Sequence, residues 1–405
     1  MIKDAIRNEK YDFINENYNS LYPQIHKYSA TMLSQIGVDI LKELNVKPNA
    51  KLLDPYCGSG SSFASALEIG INEMIGYDLN PLAILISSVK FTKIDINETI
   101  DTFYKLKENI YELLKTSDFK PNFPNITNFE FWFKPNVANG LAIIKECVDK
   151  VNKTKIKRFF LVIFSELVRE CSNTRNDEFK LFKMKDDDVL LFNPDIAGLF
   201  SQKAQKTLDV YQRYYVNKLD NINISLYNHS FDGKQADVVL TSPPYGDSRT
   251  TVAYGQFSTL SNEWLGVRDA RKIDKTLMGG SKTTQLFKDS LIYEYLAQIN
   301  NIDNKRALEV SGFYNDLSLS IQNIASSINK GGKAVYIVGN RMVKGVRLPT
   351  DKFIAEAFEK SGLSHIVTYE RLLSNKSMPK KNSPTNEKGK LRETMNYEYI
   401  VCCEK

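Results

Sequence analysis

Histidine is scarce in this chain: among its 405 residues there are three, His26, His229 and His365. A histidine-rich metal centre or a histidine-based catalytic triad has little material, and each histidine reads more readily as structural. Five cysteines, at positions 57, 147, 171, 402 and 403, show no paired ligand spacing. They argue against a zinc site and against a disulfide framework, and they fit a reducing compartment. No metal is therefore expected. No apolar run approaches the roughly 20 residues a membrane helix needs. The N-terminal segment lacks the apolar core and cleavage site of a signal peptide. Internal repeats and low-complexity tracts are absent too, as are the phosphate-loop and dinucleotide glycine fingerprints.

What remains is a chain with 42% hydrophobic and 25% charged residues, ordinary for a soluble globular protein. Its length suits one large core with an insertion, or two domains. The net charge of +6 permits nucleic-acid binding without requiring it. Short apolar runs at 51–54, 73–78, 222–227, 236–241, 333–339, 365–370 and 397–403 read as seven strands, the last two as an antiparallel pair after a helix near 350–361. Periodicity supports an α/β fold. Residues 97–220 interrupt it with helical spacing at 99–114, 136–150, 156–169 and 202–217, and read as a mostly helical insertion. Residues 246–325 form a second excursion.

Two motifs carry chemistry. The first is Thr241-Ser242-Pro243-Pro244-Tyr245, directly after the run Asp237-Val238-Val239-Leu240. Ser242 and the Pro243 carbonyl can accept hydrogen bonds from an –NH2 group. The prolines remove N–H donors and stiffen the turn, and Tyr245 offers a ring for stacking. The second is Asp54-Pro55-Tyr56-Cys57-Gly58-Ser59-Gly60-Ser61, a glycine turn between a short strand and a helix. A following strand ends in Asp78-Leu79, where a carboxylate can accept hydrogen bonds from ribose hydroxyls.

Together the motifs resemble the catalytic domain of the S-adenosylmethionine-dependent DNA amino-methyltransferases. The likeness covers residues of about 20–90 and 222–405. It implies a seven-stranded, doubly wound, Rossmann-like sheet. It makes 1–96 the cofactor half, 97–220 a candidate DNA-recognition insertion, and 221–405 the catalytic half with DNA-contacting loops 246–325 and 371–392. By the resemblance, Tyr28, Ser29, Asp54, Tyr56, Cys57, Gly58, Gly60, Ser61, Asp78, Leu79 and Thr241 hold S-adenosylmethionine, while Ser242, Pro243, Pro244 and Tyr245 are catalytic. Serine at 242 after Thr241 is the variant associated with cytosine N4, with adenine N6 as the alternative. Carbon-5 methylation needs a cysteine after proline, and no Pro-Cys pair occurs. An RNA amino-methyltransferase, or a DNA-binding subunit that keeps the fold without catalysis, are further readings.

Double-stranded DNA is the expected partner, with a cognate restriction endonuclease as functional companion and a bacterial or archaeal cytoplasm as location. Arg249, Tyr254 and Gln256 follow the catalytic motif and can brace the gap left by a flipped base. Arg169 and Arg175 end an insertion helix and are candidate DNA contacts. The basic segment from Arg371 to Arg392, with Lys376, Lys380, Lys381, Lys388 and Lys390, reads as a loop that grips phosphates.

Overall fold

Runs such as Leu52-Leu53 and Val238-Val239-Leu240 suit strands covered on both faces, because neither side of the pleat carries polar groups. In the computed structural model those strands lie side by side in the middle of an eight-stranded sheet. The structure describes residues 2–14, 21–28, 31–116, 119–176, 178, 180–247, 253–281, 283–373, 381–382, 392–393 and 395–405.

The strands are β1 (Ile6–Arg7), β2 (Lys51–Asp54), β3 (Glu73–Tyr77), β4 (Asn223–Tyr227), β5 (Ala236–Thr241), β6 (Ile328–Gly339), β7 (Ser364–Leu372) and β8 (Tyr397–Glu404). Their order is β1-β7-β8-β6-β5-β2-β3-β4. Only β8 runs antiparallel, to both β6 and β7. The eighth strand corrects the expected seven. It is a two-residue edge strand pairing Ile6 with Tyr369 and Arg7 with Glu370, too short to show any period. β6 also begins earlier than expected, at Ile328, because a wide irregularity in its pairing with β5 absorbs the glycine turn.

Alternate residues of the central strands feed two cores. Leu52, Val238, Leu240, Val335 and Ile337 face one; Leu53, Val239, Ala334, Tyr336 and Val338 face the other. On the first face lie α1 (Ser34–Glu43), α2 (Ser61–Glu68) and α3 (Pro81–Lys90), then the helices of the insertion. Those are α4 (Ile96–Lys115), α5 (Pro135–Asp149), α6 (Thr154–Cys171) and α7 (Ile196–Tyr214). Their buried residues share one apolar cluster with the sheet, and α6 packs on α3 and on α8 (Tyr254–Trp264). α9 (Tyr293–Ile302), α10 (Asn304–Ser327) and α11 (Thr350–Lys360) cover the second face.

The excursion 246–325 is therefore no loop, which corrects the sequence reading. Ala307, Val310, Tyr314, Leu317, Ile321 and Ile324 recur every three or four residues along α10 and are buried under the sheet. No helix among the described residues is long and apolar enough to cross a membrane.

Candidate active site

The chain runs outward through β2, β3 and β4, then returns to lay β5 against the other side of β2. Such a reversal opens a crevice at the carboxyl ends of the two strands, where ligands bind in open α/β sheets. Asp54 closes β2 and Thr241 closes β5, so both motifs meet there. The Thr241 hydroxyl donates to Asp54 Oδ1 at 2.6 Å. A cavity of about 460 Å³ opens over this junction.

The donor loop is shaped by carboxylates that accept from its own backbone. Asp54 also accepts from the Tyr56 N–H at 3.0 Å and from the Ser62 hydroxyl. Asp78 Oδ2 accepts from the Gly58 N–H at 2.9 Å, and its Oδ1 from the Asn80 N–H at 2.8 Å. Gly60 turns the chain into α2 with φ +82°, and a Cβ there would come within 2.4 Å of the Phe91 ring. No side chain other than hydrogen fits. Beneath the loop, Ser87 donates to the Gly58 carbonyl at 2.7 Å and the buried Lys90 ammonium to the Ser59 carbonyl at 2.9 Å.

Burial pushes the Asp54 carboxyl up to about 6, against the pull of Ser62, Thr241 and the Tyr56 N–H. Asp78 is also pushed up to about 6, first by burial and further by the charge on Asp54, with the Asn80 and Gly58 N–H groups pulling the other way. Two partly desolvated acids facing one cavity are groups whose charge a ligand can stabilise.

Of the expected cofactor residues, Tyr28, Asp54, Tyr56, Cys57, Gly58, Ser61, Asp78 and Leu79 line the cavity. Gly60 and Thr241 stand behind it and hold the loops; Ser29 lies outside the described residues. Ser59 also lines the cavity, and its hydroxyl is buried with no hydrogen-bond partner among the described residues. A buried, unpartnered hydroxyl in a cavity-lining residue fits a polar ligand such as a nucleoside with an amino-acid tail.

Asn80 was not singled out from sequence. It caps α3, and its amide donates to Tyr28 Oη at 3.1 Å and to Ser258 Oγ at 2.9 Å. Its carbonyl accepts from Asn262 at 3.0 Å, so it ties the N-terminal segment to α8. An Asn-Pro pair at a helix start was the available signal, but it reads only as a cap. Phe231, on the loop after β4, is another wall the sequence did not reveal.

In the catalytic loop, Ser242 and Pro244 line the cavity, while Pro243 is buried and Tyr245 half-buried. Ser242 Oγ donates to Tyr245 Oη at 3.3 Å, and Tyr245 Oη donates to Glu398 Oε1 at 3.0 Å. Burial, and then the Glu398 charge, push the Tyr245 phenol well above its ordinary value. Asp247, two residues on, is held by Arg306 at 2.7 Å and Arg341 at 2.9 Å. Burial works to raise its carboxyl, but Arg341 and Arg306 outweigh it and hold it far below the usual carboxylate range. Neither Glu398 nor this arginine pair was legible as a site, because their partners lie 59 to 153 positions away.

The expected DNA contacts divide. Arg169 is corrected: it is buried, donates to the Phe257 carbonyl at 2.8 Å and stacks over the Phe257 ring with 4.3 Å to the centroid. It joins α6 to α8 from inside, where no duplex reaches. Tyr254 belongs to the cavity wall and stacks near Tyr28 with centroids 6.2 Å apart. Gln256 is half-buried, and its Oε1 accepts from the Leu181 N–H at 3.4 Å. Arg175 is exposed and pairs with Glu178 at 3.2 Å.

Arg371 is also corrected. It is the penultimate residue of β7, fully buried, and pairs with Glu398 at 2.9 Å, so the basic segment starts beyond it. Arg249, Lys376, Lys380, Lys388 and Lys390 lie outside the described residues, as does the Lys381 side chain. Among the described residues no group of metal-ligating side chains is clustered.

No family model matches the chain. Among solved structures, an rRNA methyltransferase from Streptomyces viridochromogenes (aviRa) is 10% identical, covers 98% of this chain and 96% of its own, and reaches a TM-score of 0.31, too slight to carry an argument. Curated relatives say more. Type II methyltransferase M.BsoBI of Geobacillus stearothermophilus is 22% identical over 85% of this chain and 79% of its own length. Type II methyltransferase M.MvaI of Kocuria varians is 36% identical over 428 residues, spanning 97% of this chain and 93% of the relative. At that identity and coverage, with both motifs meeting at one crevice, the chain belongs to the type II methyltransferases, DNA-methylating enzymes of restriction–modification type.

Proposed function

We propose that this methyltransferase uses S-adenosylmethionine to methylate the N4 amine of a cytosine turned out of double-stranded DNA. It does so within a short recognition sequence that a cognate restriction endonuclease would otherwise cut, in a prokaryotic cytoplasm. The observation that carries this reading is the position of Ser242, an acceptor on the wall of the cavity whose other wall is the donor loop.

S-adenosylmethionine, when bound, supplies a sulfonium methyl that an aromatic amine attacks without a strong base. Asp78 would accept hydrogen bonds from its ribose hydroxyls, and Tyr28, Cys57 and Ser59 would enclose the rest. Ser242 Oγ and the Pro243 carbonyl would accept hydrogen bonds from the two amine N–H groups and turn the nitrogen lone pair out of conjugation with the ring, and the proton that the methylated nitrogen sheds leaves to water. Orientation and effective concentration then supply much of the rate. Tyr245 stacks on the extruded base. Serine is a poor base, which agrees with a reaction that needs none.

On the DNA side, the helical segment 97–220 and the segments within 246–325 and 371–392 contact the duplex. Exposed Arg175, with Lys376, Lys380, Lys381, Lys388 and Lys390, meets phosphates, while Arg249 braces the gap left by the flipped base. Digesting DNA incubated with enzyme and S-adenosylmethionine, and weighing the nucleosides by mass spectrometry, tests the reading. N4-methylcytosine is expected; N6-methyladenine alone would transfer the same geometry to adenine and remove cytosine from the account.

A further inference from the structure

The hydroxyls of the catalytic loop form a chain that leads away from the cavity to an ion pair. Ser242 Oγ donates to Tyr245 Oη at 3.3 Å, Tyr245 Oη donates to Glu398 Oε1 at 3.0 Å, and Glu398 Oε2 accepts from Arg371 Nη1 at 2.9 Å. The sheet places these groups. Glu398 stands opposite Arg371 of β7 on one side and opposite Gly339 of β6 on the other. A Cβ at Gly339 would come within 1.8 Å of Met395 Sδ and 3.0 Å of the Tyr245 ring, so the absent side chain lets both lie close over the strand. Arg371 is 1% exposed and the Glu398 side chain 15%, which keeps the pair in place.

The direction of this chain is decided by chemistry. An ionised carboxylate only accepts. The phenol must therefore spend its one proton on Glu398, and burial keeps that proton on the phenol. Its oxygen is left to accept the Ser242 proton. Ser242 has then turned its only donor away from the cavity that it lines, and offers lone pairs alone. Such a surface matches an –NH2 group and repels a carbonyl.

We propose that Glu398, clamped by Arg371, is a positioning residue: it fixes the hydrogen-bond direction of the catalytic loop and makes Ser242 an obligate acceptor. Bases with an exocyclic amine are thereby selected over bases with a carbonyl at the same place. This rests on the reading that Ser242 receives the amine, for cytosine and adenine alike. An ion pair that only knits β7 to β8 would not also need its second oxygen on the catalytic loop.

The test is a set of single-turnover rates with saturating S-adenosylmethionine and DNA, beside cofactor calorimetry and melting temperatures. Tyr245→Phe breaks the chain and frees the Ser242 hydroxyl to rotate; about a three- to tenfold slower transfer is expected. In Glu398→Gln the amide carbonyl turns to Arg371 and its NH2 to Tyr245, which reverses the chain and aims the Ser242 proton at the amine. About a ten- to hundredfold loss is expected there. Adding Tyr245→Phe to Glu398→Gln should restore the rate to that of Tyr245→Phe alone, with cofactor affinity unchanged throughout. Replacing the pair together, Arg371→Met with Glu398→Met, keeps the strands packed and should match Tyr245→Phe.

Losses that simply multiply in the Glu398→Gln and Tyr245→Phe double variant, or a wild-type rate in the Met pair, would overturn the proposal. A wild-type enzyme that methylates neither N4 of cytosine nor N6 of adenine would overturn the underlying reading instead.

Discussion

The donor loop at the end of β2 and the catalytic loop at the end of β5 sit side by side, yet they are fixed by opposite electrostatics. Around the donor loop, Asp54 and Asp78 accept from backbone N–H groups and hydroxyls, carry no cationic partner among the described residues, and are pushed up to about 6. In the catalytic loop, Asp247 is clamped by two arginines and held far down. A carboxylate without a cation keeps unspent capacity for a ligand, whereas one between two guanidiniums has none. The first arrangement suits binding, the second suits holding a backbone in one shape. Thr241 joins the two by its bond to Asp54.

The contrast can be broken by substitution, and the largest effect is expected at the clamp. Asp247→Ala takes the shared carboxylate from two buried guanidiniums, of which Arg306 keeps Glu309 at 2.9 Å, and should cost about 3–5 kcal/mol of stability, read by chemical denaturation. A loss below about 1 kcal/mol would mean that the clamp holds little. At the donor loop, Asp78→Ala should weaken S-adenosylmethionine binding by about 1.5–3 kcal/mol, one to two orders of magnitude in calorimetry. Its single-turnover rate at saturation should stay near that of wild type.

The two regions should also differ in sign with pH. Asp54 and Asp78 bind protons more tightly in the folded chain than in the unfolded one. Their contribution to stability therefore falls as pH rises from about 4 to about 6. Asp247 acts the other way: its contribution is present above the unfolded carboxylate value near 3.8 and is lost as pH falls toward its depressed one. Cofactor affinity should drop below about pH 6, and Asp78→Asn should flatten that slope; an unchanged slope would remove Asp78 as its origin. The smallest effect is expected at exposed Arg175, where alanine should change stability by less than about 0.5 kcal/mol. If it meets a phosphate, the salt slope of DNA binding should fall by about one.

Much of this site is legible in the sequence because its chemistry is local. Asp54 through Ser61, Asp78, and Thr241 through Tyr245 are contiguous pieces, each bounded by an apolar run that reads as a strand. The rule that crevices form at the ends of adjoining strands puts them together. What stayed hidden depends on distant partners. Arg169 reads as a cation at a helix end, and only the fold shows Phe257 beneath it. Arg371 reads as the first of a basic run, yet β8 brings Glu398 against it. α10 was masked by polar residues interleaved with its apolar face, so that 246–325 looked like an excursion. β1 is two residues long and has no pattern to read.

The division of labour between the loops is tested most directly by measuring one variant twice. Ser242→Ala removes the acceptor on the cavity wall and leaves Asp54, Asp78 and the donor loop untouched. Calorimetry should find its S-adenosylmethionine affinity within about twofold of wild type, while single-turnover methylation slows by about tenfold or more, as loss of one aimed hydrogen bond in the transition state implies. A Ser242→Ala enzyme that transfers methyl groups at the wild-type rate, or that loses cofactor affinity in step with its rate, would contradict the account.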